Sequence, residues 1–496
     1  MDIIRCSGTD FIDPSGRTRF FHGINLCDKG VMREDGKREY VRSWDEGIFE
    51  SIRACGFNCV RLGITWDAVE PQPGVYDDDY IACVDATVKR LAEAGAYVYL
   101  DMHQDLYTGS DGGMGDGAPA WACMTGGREF RKPVAVWAEG YFLDKAVWNC
   151  FDAFWSNAVL PQTGRGLRDM YCDMLSHLAE KLGGNENILG WDVLNEPFPG
   201  TVGGKIFRRI VTGGVGALLF SRSIKPVKGI RLLLNEKTRR EGMDLLSGRL
   251  LRKATSGGDE LLEKFDREFY SPFMRACRDA VRKSTPRGVI FIEGDYWSNS
   301  SIPSGTQPIP EEPDQAFTPH GYDLMVDTPA YKYASDERVR TIFREHRKTQ
   351  LRLGCPVLVG EWGGFSDGTE WLPHIKETLR MFDGYLWSDT YWCYYEGFFD
   401  SPVISVIKRP YPQAVDGKVK EYSYDCEKKE LRLVFDSRGE SETLIYLPAA
   451  PEKVEGAEGS SFDGRLLSLR CKEGRSEIRV TLQQQQGEDT GEGHDD

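Results

Sequence analysis

YIACVDATVKRLAEAGAYVYLDMH, residues 80–103, sets the fold. Its first part, 80–94, is an amphipathic, helix-like stretch. Its last part, AYVYLDMH at 96–103, is a short apolar run of the kind that forms a strand buried on both faces. A helix feeding a buried strand is the unit of a parallel α/β sheet. The apolar run recurs as TRFFHGIN (18–25), NCVRLGI (58–64), ILGWDVLN (188–195), RGVIFIEG (287–294), AFTPHGY (316–322), PVLVGEWG (356–363) and YLWSDTYWCYY (385–395), which makes eight with 96–103. Further helix-like stretches, such as 167–182 and 335–353, lie between them. Eight alternations spell a (β/α)8 barrel of the α/β class. A doubly wound open sheet is the rival, but it usually carries a Gly-rich phosphate loop after its first strand, and none follows 18–25.

The pattern changes after about residue 408. KEYSYDCEKKELRLVFDSRGESETLIYLP and RLLSLRCKEGRSEIRVTL are short alternating strands with turn residues between them, reached through the linker RPYPQAVDG. They read as a small C-terminal antiparallel β-sandwich. The expected division is therefore a barrel over 1–408, a sandwich over 409–483 and a disordered acidic tail over 484–496. One segment breaks the alternation, an insert at about 201–253 between the fourth and fifth runs. Over 201–250 it holds Lys205, Arg208, Arg209, Arg222, Lys225, Lys228, Arg231, Lys237, Arg239, Arg240 and Arg249 against Glu236, Glu241 and Asp244, a local charge of +8.

That local charge stands against the whole chain. The 496 residues carry 62 Lys and Arg and 77 Asp and Glu, a net charge of −15, which disfavours nucleic acid as a general partner. Apolar content of 40% rules out global disorder, and the absence of an 18-residue apolar run removes the expectation of a spanning helix. The start, MDIIRCSGTD, lacks the charged and apolar regions of a signal peptide. The expectation is an intracellular protein, or a secreted form whose signal has been removed. The 13 cysteines form no CxxC pair, and Cys55 and Cys59 have no nearby His to complete a zinc site. Free thiols are the plain expectation, with a few disulfides in a secreted form as the alternative. No metal and no cofactor is implied.

Active sites of such barrels sit where the strands end. The first run ends near Asn25, followed by Asp28 and Lys29. The second contains Arg61, and the third ends at His103 with Asp105 beyond. The fourth ends at Asn195-Glu196, the sixth at His320 and Tyr322, the seventh at Glu361, and the eighth carries Trp392. Singly, each has an ordinary reading: a solvated glutamate, a barrel-closing Arg61 ion pair, a satisfied core His103, a core Trp392. Together they place two carboxylates on one face, as glycoside hydrolysis needs. One must stay protonated and the other ionised, so their surroundings must differ. Arg61 is suited to keeping one charged, Asn195 to bonding a sugar hydroxyl beside the acid, a tyrosine to orienting the nucleophile, and Trp392 to stacking on a sugar ring.

These residues resemble glycoside hydrolase family 5, on Arg61, His103, the Asn195-Glu196-Pro197 turn, His320, Tyr322, Glu361 and Trp392, over most of residues 15–410. The resemblance implies Glu196 as acid/base and Glu361 as nucleophile. GINLCDKG (23–30), DMHQDLY (101–107), GDGAPAWA (115–122), GEWGG (360–364) and the RPYPQAV linker look more narrowly like the endoglycoceramidases of that family. That likeness implies cleavage between the glycan and ceramide of glycosphingolipids. It makes Lys29 and Asp105 binders of sugar hydroxyls and places His103 beside the reacting sugar. The alternatives are a β-glucosidase or β-galactosidase of short glycolipids (glucosylceramide, galactosylceramide, steryl glucoside) and a β-glucanase or β-mannanase of the same family. A non-catalytic glycan-binding module is a third class, disfavoured by the presence of both carboxylates. The expected partner is a glycolipid, with membrane-surface contact through the cationic, leucine-rich insert and no protein partner indicated.

Overall fold

The computed structural model describes residues 1–33, 38–134, 136–219, 247–326, 334–365 and 368–483. Eight short strands form one parallel sheet: β1 (His22–Cys27), β2 (Cys59–Thr65), β3 (Tyr97–His103), β4 (Ile188–Asp192), β5 (Val289–Glu293), β6 (Gln315–Thr318), β7 (Leu358–Val359) and β8 (Ser388–Tyr391). Their order is β6-β5-β4-β3-β2-β1-β8-β7. The two ends meet through a parallel bridge between Phe317 and Val357, and beyond it His320 pairs with Glu361. The barrel predicted from the eight runs is the one observed.

The helices form for legible reasons. Asp77 caps the helix Asp78–Glu93 by accepting the Tyr80 N–H at 2.8 Å. That helix buries Tyr80, Ile81, Val84, Thr87, Val88 and Leu91, one stripe at helical spacing, against the barrel wall. The barrel floor is plugged separately by Ile4, Phe11, Phe21, Tyr97, Tyr99 and Phe291.

Two expectations change. The run 18–25 is not one strand. Thr18–Arg19 pairs with Tyr411–Val415 in the C-terminal sheet, and only His22–Cys27 enters the barrel. Phe20 lies in the sandwich core and Phe21 in the barrel floor, so two adjacent apolar side chains serve two cores. Strands Arg5–Ser7 and Asp10–Ile12 follow Thr18–Arg19 into the same seven-stranded sheet, so the stretch 1–408 is not wholly barrel. Within the insert, helices Thr201–Leu219 and Gly248–Thr255 are present, and its centre, 220–246, lies outside the described residues, as does the tail 484–496. Phe207 of the first helix stacks on Phe142 with ring centroids 4.8 Å apart. All 13 cysteines are free.

The four-stranded sheet of the sandwich is built from Gly417–Asp425, Glu430–Ser437, Gly474–Leu482 and Pro451–Glu455. The sandwich is joined to the barrel by buried groups. Tyr411 donates to the Gly56 carbonyl at 2.6 Å, and Arg409 bonds both Asp383 and Tyr422. Gly56 ends the helix Glu46–Cys55 at φ 73°, and a Cβ there would lie 2.1 Å from the Tyr446 ring. Gly56→Ala is therefore expected to lower stability by about 2–4 kcal/mol, combining left-handed strain with overpacking. Chemical denaturation checks this; an unchanged midpoint would remove Gly56–Tyr446 as a tight joint.

Candidate active site

Arg61 points into the barrel from the middle of β2 and is fully buried. A buried guanidinium requires acceptors on all sides. It finds Asp192 through Nε and Nη2 at 3.0 and 2.8 Å, and Glu293, Asn195 and Asp101 through Nη2 at 2.9, 2.9 and 3.0 Å. Nη1 reaches Glu361 at 2.6 Å and Asn25 at 3.4 Å. Burial opposes its charge, but Asp101, Asp192, Glu361 and Glu293 outweigh burial and raise its pKa further. Burial and the neighbouring Glu293 push Asp192 well above the usual carboxylate range, with Arg61 opposing them.

Glu196 follows β4 and Glu361 follows β7. An oxygen of each and a nitrogen of His320 all lie within 4.8 Å of one another. Glu361 is held in place by Arg61 at 2.6 Å and by the Tyr322 hydroxyl, which donates to Oε2 at 2.8 Å. Among the described residues, no arginine pairs with Glu196. Its Oε1 meets His320 Nδ1 at 3.0 Å and accepts from Asn299 Nδ2 at 2.8 Å. Burial raises its pKa to about 7, against the pull of His320 and with the help of Glu361. Its backbone takes φ 40°, in the left-handed region, where Glu293 Oε2 accepts its N–H at 2.6 Å and Gln104 Nε2 donates to its carbonyl at 3.2 Å. The two carboxyls thus differ in kind: both are buried, but one is paired with a guanidinium, whereas for the other burial favours a proton.

On the far side, the His103 ring stacks on Trp392 with centroids 5.3 Å apart and planes at 15°. His103 Nδ1 bonds Asp101 at 2.7 Å, and Nε2 lies 3.5 Å from Asp105. Lys29 pairs with Asp105, sits 3.9 Å from Asp116 and lies 5.0 Å above the Trp392 ring. Burial alone would raise the Asp105 carboxyl, but Lys29 and His103 hold it low. Asp116 keeps the opposite balance, raised by burial to about 6.

These groups line a cleft of about 680 Å³, with Arg38, Asn195 and Tyr322. The same cleft is also lined by Met114, Trp137, Phe142, Tyr296, Leu324 and Val326. Its lining is therefore mixed, with charged and polar groups alongside apolar side chains.

Every site residue expected from the sequence lies in or directly behind this cleft: Lys29, Asp105, Asn195, Glu196, Tyr322, Glu361, His103 and Trp392 line it, and Arg61 and His320 bond its carboxylates. Asn195 has a different use from the one expected, since its oxygen accepts from Arg61 and its amide donates to the Gln104 carbonyl at 3.0 Å. The fifth run, to which no polar group was assigned, ends in Glu293. Asp101 and Asp192 are lone acids inside apolar runs and Glu293 is one at the end of a run, which is itself a signal. Asn299 and Tyr296 come from the short helical turn Tyr296–Ser300 and Phe142 from the short helix Glu139–Leu143, whose sequences carry no comparable mark. Carboxylate sets that could in principle hold a cation, Asp101–Asp192–Glu293 and Glu196–His320–Glu361, are already engaged by Arg61 and by Asn299 and Tyr322.

The family model described as Cellulase (glycosyl hydrolase family 5) matches residues 22–212 and 259–397, and the glycoside hydrolase family 5 C-terminal domain matches 409–491. Endoglycoceramidase I of Rhodococcus hoagii is 24% identical over 503 residues, covering 97% of this chain and 88% of the relative. An endoglycoceramidase of Hydra vulgaris is 23% identical, covering 88% and 78%. Among solved structures, the lactosyl-enzyme intermediate of endo-glycoceramidase II from Rhodococcus sp. has a TM-score of 0.72 at 23% identity, covering 96% of this chain and all of that one. The barrel, the sandwich and the paired carboxylates are those of one family: the chain belongs to glycoside hydrolase family 5.

Proposed function

We propose that this glycoside hydrolase cleaves glycosphingolipids between the glycan and the ceramide, with retention at the anomeric carbon. The observation that carries this reading is the mixed lining of the cleft, in which Lys29, His103, Asp105 and Trp392 share the space with Trp137, Phe142 and Leu324 around the two carboxyls. A sugar with a lipid aglycone matches a cleft that offers both polar and apolar side chains. The endoglycoceramidases of R. hoagii and Hydra match this chain over most of their length, which supports the same reading.

In this mechanism Glu361, ionised beside Arg61, attacks the anomeric carbon while Glu196 donates its proton to the departing ceramide oxygen. Glu196 then takes a proton from water, which releases the glycan from Glu361. Oxygens within 4.8 Å support a direct nucleophile, because an inverting pair stands about 6.5–9.5 Å apart to admit water. Tyr322 and Arg61 fix the attacking carboxylate, and Trp392 offers its face to the sugar ring. Met114, Trp137 and Leu324, which line the cleft, are 49%, 38% and 37% exposed, and they suit contact with a lipid surface.

Mass spectrometry of a mixed glycosphingolipid digest is expected to show intact oligosaccharide and ceramide. Release of monosaccharide alone would point to a short-glycolipid glycosidase, and cleavage of soluble polymers in preference to glycolipid would point to a glucanase or mannanase. Glu361→Gln is expected to lower kcat/KM by about 10³-fold or more on every substrate; substantial turnover would remove it as nucleophile. The acid works protonated, so activity must fall as pH rises through the Glu196 value. kcat/KM for a glycolipid is expected to decline tenfold per pH unit above about 7, and Glu196→Gln is expected to abolish that limb. Replacing Met114, Trp137 and Leu324 together by Ser is expected to cut hydrolysis of vesicle-borne glycolipid about tenfold more than that of a soluble aryl glycoside. Equal losses would remove lipid-surface contact through these three side chains.

A further inference from the structure

Glu293 ends β5 and is 1% exposed, yet nothing in the double displacement requires a third carboxylate here. Among the described residues, its oxygens meet donors on every side. Oε2 accepts the Glu196 backbone N–H at 2.6 Å. Oε1 accepts from Arg61 Nη2 at 2.9 Å and lies 3.3 Å from His320 Nε2. The Glu293 N–H in turn meets the Tyr270 hydroxyl at 3.2 Å. Asp192 and Asp101 share Arg61 with it, and Glu361 holds the opposite edge of the same guanidinium. His320 therefore has a carboxylate at each nitrogen: Glu196 at Nδ1 and Glu293 at Nε2. Burial works against an imidazolium, but Glu293 and Glu361 outweigh it. His346, packed behind, contributes no charge, since burial lowers its pKa to about 3.

We propose that Glu293 is a positioning residue for the acid/base: one oxygen fixes the left-handed Glu196 backbone, and the other keeps His320 protonated on both nitrogens. The charged ring then donates Nδ1–H to Glu196 Oε1. With Asn299 donating to the same oxygen, the acid's proton is confined to Oε2, where it meets the leaving group. A neutral His320 would be free to present a bare Nδ1 to Glu196 and draw that proton away from the substrate. A glutamine at 293 cannot reproduce this arrangement. Its amide has one acceptor and two donors, whereas the site supplies Arg61, His320 and the Glu196 N–H, all donors. The carboxylate that favours the second ring proton is then gone, so Glu293→Gln makes the ring neutral and frees its remaining proton to leave Nδ1 for Nε2.

This inference rests on Glu196 being the acid/base, and the experiment separates the two. Glu293→Gln, Glu293→Asp and Glu196→Gln are each compared with the parent enzyme on a glycolipid and on a dinitrophenyl glycoside, whose leaving group departs without a proton. Glu293→Gln is expected to lose roughly 10²-fold in kcat/KM on the glycolipid, the scale of general-acid catalysis, and at least tenfold less than that on the dinitrophenyl glycoside. Its alkaline limb on the glycolipid is expected to move to higher pH, because the imidazolium that favours ionised Glu196 is gone. Glu293→Asp retains the charge and is expected to keep the limb where the parent has it, and it supplies the pH test if the glutamine variant does not fold. Losses that agree within threefold on the two substrates, or an unmoved limb in Glu293→Gln, overturn the inference when Glu196→Gln itself discriminates between leaving groups. If Glu196→Gln does not discriminate, the acid/base assignment falls, and this inference falls with it.

Discussion

The Arg61 guanidinium is the constraint on which the site depends. It sits at the centre of the barrel without exposure and touches groups from β1, β3, β4, β5 and the end of β7. A buried cation in a protein interior is unfavourable unless it is surrounded by acceptors, and leaving one acceptor without its partner costs several kcal/mol. The barrel therefore brings Asp101, Asp192, Glu293 and Glu361 to the same point. That same requirement orients Glu361 toward the cleft and holds Asn195 beside Glu196. Structure and chemistry are coupled here: the ion cluster that ties strands together is also the support that makes one glutamate a fixed anion.

The asymmetry between the two glutamates follows from that arrangement. Glu361 has a guanidinium and a tyrosine hydroxyl, whereas Glu196 has an amide and a histidine. Two identical side chains acquire opposite roles from their neighbours alone. The cleft extends the same logic to the substrate. Charged groups, ring faces and apolar side chains all line it.

Much of this was legible in the sequence, for physical reasons. Strands buried on both faces must be nearly continuous apolar runs, so AYVYLDMH and RGVIFIEG mark themselves. Polar residues at the ends of such runs must face a site or one another, which marks His103, Glu196 and Glu361; Arg61 stands out as a cation inside an apolar run. Asp101 and Asp192, inside the runs, and Glu293, at the end of β5, are the partners that such a buried cation has to have. The splitting of 18–25 between two sheets was not legible. Phe20 and Phe21 are equally apolar, and only the pairing of Arg19 with Ala414 shows where one core stops and the other begins. Asn299, Tyr296 and Phe142 sit on helical segments of only five residues, too short for periodicity to report.

The most direct measurement is covalent trapping. A 2-deoxy-2-fluoro glycosyl fluoride slows both steps but leaves the first faster, so a glycosyl-enzyme accumulates. Proteolysis and mass spectrometry then locate the sugar. A single adduct on the peptide carrying Glu361, released when an acceptor is added, is the predicted result. An adduct on any other residue, or inactivation without an adduct, would contradict a double displacement supported by Arg61.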